Sequence, residues 1–271
     1  MNLKDILTII VLTENEQIHI GRCLKSISSL KVNTYLIDSF SSDETIKIAE
    51  KFGVTILQNK YINPKGQVNY FLSRDLTNTS NWVLRLDADE YLTTNSIKKL
   101  KKLLANINDD VGLIYLRLQR VFQGKHLKYG TLSGRFIPRL WRPDGASHSI
   151  KEMDEKLVAN KGYKEYKSDI DFYDASLITP SDFVIKHVAY VERQLEDMEK
   201  GLEKNSSVLK KIYYSLPFEV SSLFLFLYRY ILRLGFLDGR RGLWYHFLQC
   251  LFYRNMIGIE EYSRKKNKVN Y

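Results

Sequence analysis

"WVLRLDADEYL" (residues 82–92) decides how the chain is read. Trp82, Val83, Leu84 and Leu86 make an apolar run of strand length, yet it leads directly into Asp87, Asp89 and Glu90, with only Ala88 between the aspartates. Taking an ionised carboxylate out of water costs on the order of several kcal/mol. A buried strand that ends in three acids has therefore reached an edge where those acids bind something, or where they form a solvated turn capping the helix near Thr94.

Outward from this stretch the chain alternates. "ILTIIVL" (6–12), "TYLID" (34–38) and "VTILQ" (54–58) are β-branched apolar runs. Between them "EQIHIGRCLKSISSL" (16–30) places Ile18, Ile20, Cys23, Leu24, Ile27 and Leu30 at helical spacing, and "DETIKIAEKFG" (43–53) predicts a second helix capped by Ser41 or Ser42 and stopped by Gly53. "QVNYFLSRDLT" (67–77) predicts a third helix before the strand at residue 82. Strands alternating with short helices imply βαβ units and a largely parallel sheet with right-handed crossovers. Ligands of such sheets lie beyond the carboxyl ends of the strands. Thr13-Glu14, Asp38-Ser39 and Asp87-Ala88-Asp89 all end strands, so they are expected along one edge. "VGLIYLRLQRVF" (111–122) and "GRFIPRLWRP" (134–143) read as antiparallel additions.

With 271 residues and 44% hydrophobic side chains, the chain can bury a sizeable core. Cys23 and Cys250 are far apart, which argues against a disulfide framework or zinc site and fits a reducing cytoplasm. The apolar run at the N-terminus is too short for a secretory signal and reads as the first strand. The net charge is +10, and from Lys200 onward there are 13 Lys/Arg against 5 Asp/Glu. An anionic surface, phospholipid or nucleic acid, is the expected partner of that tail.

Two aspartates one residue apart supply hard oxygen ligands suited to Mg²⁺ or Mn²⁺. Asp38 can accept from a uracil or ribose, or merely cap its turn; Thr13 can line a base pocket. Arg135, Arg139 and Arg142 read either as phosphate contacts or as solvated arginines on a strand.

"TIIVLTENEQIHIGRCLKSI", "YLIDSFSSDET", "NPKGQVNYFLSR" and "WVLRLDADE" together resemble the family-two inverting glycosyltransferases over roughly residues 5–190. The resemblance is closest to the bacterial lipopolysaccharide-core β-1,4-glucosyltransferase branch, which shares a turn like "GFLDGRRG" (235–242). It implies an α/β GT-A (Rossmann-like) fold: a mixed, mainly parallel sheet flanked by helices, with a C-terminal amphipathic helical extension. The catalytic domain would span 1–195, with a nucleotide-sugar half to about residue 92 and an acceptor half from 93, and the extension 196–271.

By the same resemblance, Thr13, Glu14 and Glu16 border the nucleotide, Asp38 binds uridine, and Lys65 and Asn69 face a UDP-sugar donor. Asp87 contacts ribose or metal, Asp89 coordinates the divalent metal, and His187 reaches the metal or diphosphate. Many relatives have an aromatic residue where this chain has Glu14. Inverting transfer needs a carboxylate base; "SIKEMDEKLV" supplies Glu152, Asp154 and Glu155, of which the resemblance aligns Glu155 with the base, Asp154 being next, unless the segment is only a charged edge strand.

The two apolar segments after Pro217 are interrupted by Arg229 and Arg233, and by His246, Gln249 and Arg254, so neither offers a span of about eighteen apolar residues. They read as helices lying in a membrane's head-group region, or packing on the catalytic domain or a second subunit as a homo-oligomer. In "LDGRRG", Asp238 is expected to pair Arg240 or Arg241. The expected role is transfer of a hexose, glucose from UDP-glucose, to a lipopolysaccharide-core or similar lipid-linked glycan at the cytoplasmic face of the plasma membrane. A nucleotidyltransferase would need a Gly-rich basic loop after the first strand, which "LTENEQIHIGR" lacks. A nucleic-acid binder would explain the charge, but no RNA-binding or helix-turn-helix signature is present.

Overall fold

A computed structural model describes residues 3–74, 76, 81–148, 157–177, 179, 188, 190–192, 195, 213 and 215–269. In chain order the elements are β1 (Leu7–Thr13), α1 (Ile20–Ile27), β2 (Asn33–Asp38), α2 (Thr45–Glu50), β3 (Thr55–Gln58) and α3 (Pro64–Leu72). Then come β4 (Trp82–Asp87), β5 (Glu90–Tyr91), α4 (Thr94–Asn106), β6 (Val111–Phe122), β7 (Lys125–Leu127), β8 (Phe136–Trp141), β9 (Ala146–His148), β10 (Leu157–Ala159) and β11 (Lys164–Ser176). After these follow α5 (Phe218–Leu227), α6 (Gly239–His246) and α7 (Tyr253–Val269), with π-helical turns at Tyr228–Leu232 and Phe247–Phe252. The chain divides into two compact units: Met1–Gly124 with Gly134–Leu177, and Lys125–Ser133 with Ile178–Tyr271.

The first unit is built on a sheet of order β3-β2-β1-β4-β8-β6-β11-β5. Its first four strands are parallel, as the alternation of strands and helices requires. Leu7, Ile9, Ile10, Leu36, Ile37, Val83 and Leu84 are wholly buried in those strands, each contributing about 1.5–3 kcal/mol relative to exposure. β8 runs antiparallel to both β4 and β6, as expected of the later strands. β11, however, is parallel to β6, so the second half is not purely antiparallel. The mixed, mainly parallel sheet with flanking helices is the GT-A architecture.

Local chemistry sets the helix starts. α3 begins at Pro64, three residues before the expected start, because the Asn63 side chain accepts from Gly66 N at 2.7 Å and Pro64 fills the first helical position. Thr93 caps α4 by accepting from Ser96 N at 3.1 Å. α2 has no serine cap: neither Ser41 nor Ser42 bonds its first turn, and Asp43 accepts from Thr45 N at 3.0 Å instead.

In the second unit, the "LDGRRG" turn has a different partner from the one expected. The buried Asp238 carboxylate pairs with neither Arg240 nor Arg241; it accepts from Lys128 N at 3.1 Å and Tyr129 N at 2.9 Å, while Lys125 Nζ donates to its carbonyl at 2.7 Å. Asp238 thus fastens the 125–133 segment to the C-terminal helices. Gly242 permits this closeness, since a Cβ there would lie 2.6 Å from Gly235 O and 2.7 Å from Asp238 Cβ.

Candidate active site at the carboxyl edge of the sheet

The strand ends expected to meet do so. Thr13 is in register with Asp38 across β1 and β2, and Leu12 with Asp87 across β1 and β4. The ladder continues one step beyond, through Ser39 N to Thr13 O at 2.9 Å and Ala88 N to Leu12 O at 3.0 Å. Thr13, Asp38 and Asp87 therefore sit on three adjacent strands at one edge, with spacings of about 4.8 Å between neighbours.

Loops beyond β1 and β2 are laced together. Asn15, at φ +52°, donates its N–H to Ser41 Oγ at 2.8 Å and accepts from Ser42 N at 2.8 Å, a left-handed conformation asparagine tolerates. Glu16 N donates to Thr45 Oγ1 at 2.8 Å and Gln17 N to Asp43 Oδ2 at 3.1 Å. The Glu16 carboxylate pairs with Nδ1 of the buried His19, whose Nε2 accepts from Leu177 N at 2.8 Å. That acceptance fixes the Nδ1–H tautomer. Glu14 is exposed.

Asp38 is wholly buried and accepts from Ser41 N at 3.0 Å, Ser41 Oγ at 2.5 Å and Gln58 Nε2 at 3.3 Å. Its carboxylate organises the turn after β2. On α3, Lys65 is half-buried and Asn69 exposed. Gln67, between them, is buried and donates to Ser39 Oγ at 2.9 Å and Asn59 O at 3.0 Å, tying the helix to the ends of β2 and β3.

The acidic turn after β4 has a layered structure. Asp87, one-third exposed, meets Arg85 Nη2 at 3.0 Å and Arg139 Nη2 at 3.2 Å. Burial of its carboxyl works to raise the pKa, but Arg139 and Arg85 outweigh it and hold it at about 2. Glu90 is 3% exposed, pairs with Arg139 and accepts from Asp87 N at 3.0 Å. Burial is the largest influence on Glu90 and pushes its pKa well up, helped by Asp87, Asp174 and Asp89 and opposed by Arg139. Asp89 is half-buried and its carbonyl accepts from Arg22 Nη2 at 2.9 Å and Ala175 N at 3.2 Å. Arg22 in turn lies 5.0 Å over the Tyr91 ring, which stacks on Tyr173 at 5.2 Å.

These positions correct the reading of the arginines. Arg139 is neither solvated nor open to phosphate, since it is buried between Glu90 and Asp87 and lies 5.0 Å over the Phe172 ring. Arg142 donates to Val111 O at 3.0 Å and Asp109 at 3.0 Å and lies 4.6 Å over Trp82, while Arg135 is exposed. Reading the sequence missed His19, Arg22, Gln67 and the pairing of Glu90 with Arg139. Only Glu90 had a signal there, as the third acid of its motif. Asp154, Glu155 and His187 lie outside the described residues.

Among the described residues no group of three His, Cys, Asp or Glu side chains could hold a metal by itself. The edge offers the Asp87 and Asp89 carboxylates and the buried Thr13 Oγ1, which has no hydrogen-bond partner among the described residues. An orphaned buried hydroxyl costs about 1–3 kcal/mol, and a ligand's polar atom would relieve it. One or two carboxylates beside phosphate oxygens is how Mg²⁺-type cations are commonly held. Asp89, and Asp87 beside Arg85 and Arg139, are the carboxylates here that could hold a cation arriving with a diphosphate.

The description "Glycosyl transferase family 2" matches residues 8–163. The chain belongs to glycosyl transferase family 2. It is 28% identical over 114 residues to an uncharacterized glycosyltransferase of Rickettsia conorii, covering 42% of this chain and 39% of that protein. It is 28% identical over 123 residues to another of Rickettsia typhi, covering 45% and 41%. The matched stretch thus spans about two-fifths of those relatives. Among solved structures, S. aureus TarS 1–349 in complex with UDP aligns at 15% identity and TM-score 0.46, covering 85% of this chain and 74% of that one. Glucosyl-3-phosphoglycerate synthase from Mycobacterium tuberculosis with Mn²⁺, UDP and glucosyl-3-phosphoglycerate aligns at 15% identity and TM-score 0.42, covering 66% and 74%.

Proposed function

We propose that this member of glycosyl transferase family 2 is an inverting transferase that moves glucose from UDP-glucose to a lipopolysaccharide-core or similar lipid-linked glycan. The observation that carries the reading is the convergence of Thr13, Asp38 and Asp87-Ala88-Asp89 on one sheet edge, where open α/β sheets take their ligands.

In this reading Thr13, Glu14, Glu16 and Asp38 shape the uridine pocket, Lys65 and Asn69 flank the donor, and Asp87 and Asp89, with His187, meet the cation and ribose. A cation held by these residues, Mn²⁺ or Mg²⁺, would supply positive charge against the departing diphosphate. Glu155, or Asp154 beside it, takes the proton of the acceptor hydroxyl as that oxygen bonds to the anomeric carbon. The bond from that carbon to the diphosphate oxygen breaks on the opposite face, and UDP leaves with the electron pair. The helices after residue 196 would hold the enzyme at the cytoplasmic face of the plasma membrane, where a soluble donor and a lipid-linked acceptor meet.

Thermal shift with Mn²⁺ and a series of donors tests this: UDP-glucose, UDP-galactose, UDP-N-acetylglucosamine and GDP-mannose. UDP-glucose should give the largest metal-dependent stabilisation, and Asp89→Ala should abolish it. Glu155→Ala should keep that stabilisation and lose turnover. Normal turnover by Glu155→Ala would remove it as the base.

A further inference from the structure

The α5 helix is inside out. Val220, Leu223, Phe224, Leu227, Tyr228 and Ile231 recur at spacings of three and four residues, the period of one helix face, and that face is exposed. Phe224 is 60% exposed and Leu232, just beyond, 73%. The opposite face, which packs inward, carries Ser221 and Ser222. Their hydroxyls meet polar groups of α7: Arg254 Nε donates to Ser221 Oγ at 3.3 Å and Asn255 Nδ2 to Ser222 Oγ at 3.2 Å. Helices of water-soluble surfaces have the reverse arrangement.

α6 continues the pattern with exposed Leu243, Trp244 and Phe247. The exposed charges on this stretch are all positive: Arg233, Arg240 and Arg241. Between Val220 and Phe247 the one acid is Asp238, which is buried under the 125–133 segment. Arg240 lies 5.1 Å over the Trp244 ring, pairing a guanidinium with an indole as at the boundary between head groups and acyl chains.

We propose that this face lies in the head-group layer of an anionic phospholipid bilayer, parallel to its plane. The proposal rests on the reading above that the C-terminal helices bind a membrane, and it names the surface, its depth and its lipid preference. No single described helix makes a simple crossing, although one bent pair passes by length and composition as a broken span or re-entrant loop. Among the described residues no single helix is long and apolar enough to span, and Phe218–Leu232 and Gly235–Lys266 are bent from one another by 72°. At 1.5 Å per residue the first reaches only about 22 Å, against a hydrocarbon core of about 30 Å. Exposed apolar side chains run along both helices and not only at the bend, as suits insertion to about 5–10 Å.

Trp244 is a built-in reporter. It is 42% exposed, whereas the other two tryptophans of the chain, Trp82 and Trp141, are buried. With the full-length chain, vesicles of phosphatidylcholine containing phosphatidylglycerol should shift Trp244 emission to the blue and carry the protein into the pellet; pure phosphatidylcholine should do so weakly. High salt should reduce the effect. Phe224→Glu with Leu232→Glu should weaken vesicle binding at least about a hundredfold, from about 1.5–3 kcal/mol lost per side chain at 1.4 kcal/mol per decade. Because both sites face solvent, thermal unfolding without vesicles should be unchanged. Arg240→Glu with Arg241→Glu should erase the preference for phosphatidylglycerol while leaving the weak binding to phosphatidylcholine.

Three outcomes would overturn the proposal: no blue shift on either vesicle, normal binding by the Phe224→Glu/Leu232→Glu variant, or a dimer in light scattering that this variant dissociates. Metal-dependent UDP-glucose hydrolysis, assayed without vesicles on the same preparations, separates the two readings. Hydrolysis without vesicle binding removes the membrane surface alone; vesicle binding without hydrolysis removes the transferase reading alone.

Discussion

Replacing Arg139 with leucine tests the electrostatic account of the acidic turn most directly. Its guanidinium is 9% exposed and serves Glu90 and Asp87 together. Leucine would leave Glu90, buried to 3% exposure, with no cation in contact among the described residues, while Asp87 keeps Arg85. Breaking a buried ion pair from one side costs about 3–5 kcal/mol. Part of that loss is reversible by pH. Burial already raises the Glu90 pKa and Arg139 opposes the rise, so removing Arg139 lifts it further. A carboxyl whose folded pKa exceeds its unfolded value of about 4.3 adds stability when protonated, and that stability is lost as pH climbs through the folded pKa. The deficit of Arg139→Leu should therefore be larger at about pH 8 than at about pH 5. Adding Glu90→Gln, which keeps an acceptor for Asp87 N but removes the stranded charge, should recover at least about half of the loss at pH 8. Urea unfolding followed by Trp82 and Trp141 emission in a Trp244→Phe background reports on the first unit. A deficit under about 1 kcal/mol would place the pair among weak surface bridges, and a deficit equal at both pH values would refute the account of Glu90.

Thr13→Val removes a buried hydroxyl without a partner among the described residues, so the free protein should be as stable or about 1 kcal/mol more stable, while UDP-glucose binding measured by calorimetry weakens; a loss of stability would mean the hydroxyl has an internal role. Asp238→Ala strips the acceptor from Lys128 N and Tyr129 N and should cost about 1–3 kcal/mol, seen as a lower urea midpoint and faster proteolysis within residues 125–133. An unchanged digestion pattern would show that the turn does not hold that segment.

How much of this was legible depended on where the apolar side chains fall. β1, β2 and β4 are buried on both faces, so each reads as a continuous run in the sequence. β11 was not legible, because "KEYKSDIDFYDAS" turns only Ser168, Ile170, Phe172 and Ala175 fully inward and its other positions are largely charged or aromatic. Its place parallel to β6 depends on pairings such as Arg117 with Asp171 at 2.6 Å and Arg120 with Asp174 at 2.5 Å, between residues about fifty positions apart. No local pattern encodes such a pairing. The same holds for Arg139, whose partners lie about fifty residues upstream, and for Asp238, which bonds backbone more than a hundred residues away. Nearer charges, Arg240 and Arg241, drew the sequence reading instead.

The acids at the sheet edge share a location but not a task. Glu16 holds His19, Asp38 holds Ser41, and Glu90 holds Arg139 and the Asp87 amide; each of these carboxylates builds the loop it stands in. Asp87 is ionised at every physiological pH because two guanidiniums flank it, and those guanidiniums also cancel much of its field. A turn fixed by Glu90 below and by Arg22 at the Asp89 carbonyl needs little reorganisation when a charged ligand arrives, which is where preorganised sites gain their advantage over water. It follows that loss of activity in Glu16→Ala or Asp38→Ala would not identify a ligand contact. Both variants should unfold at lower urea concentration as well, whereas a residue that touches only ligand should lose binding with stability intact. Should Asp38→Ala keep its urea midpoint and still lose UDP-glucose binding, the carboxylate would belong to the ligand and not to the turn.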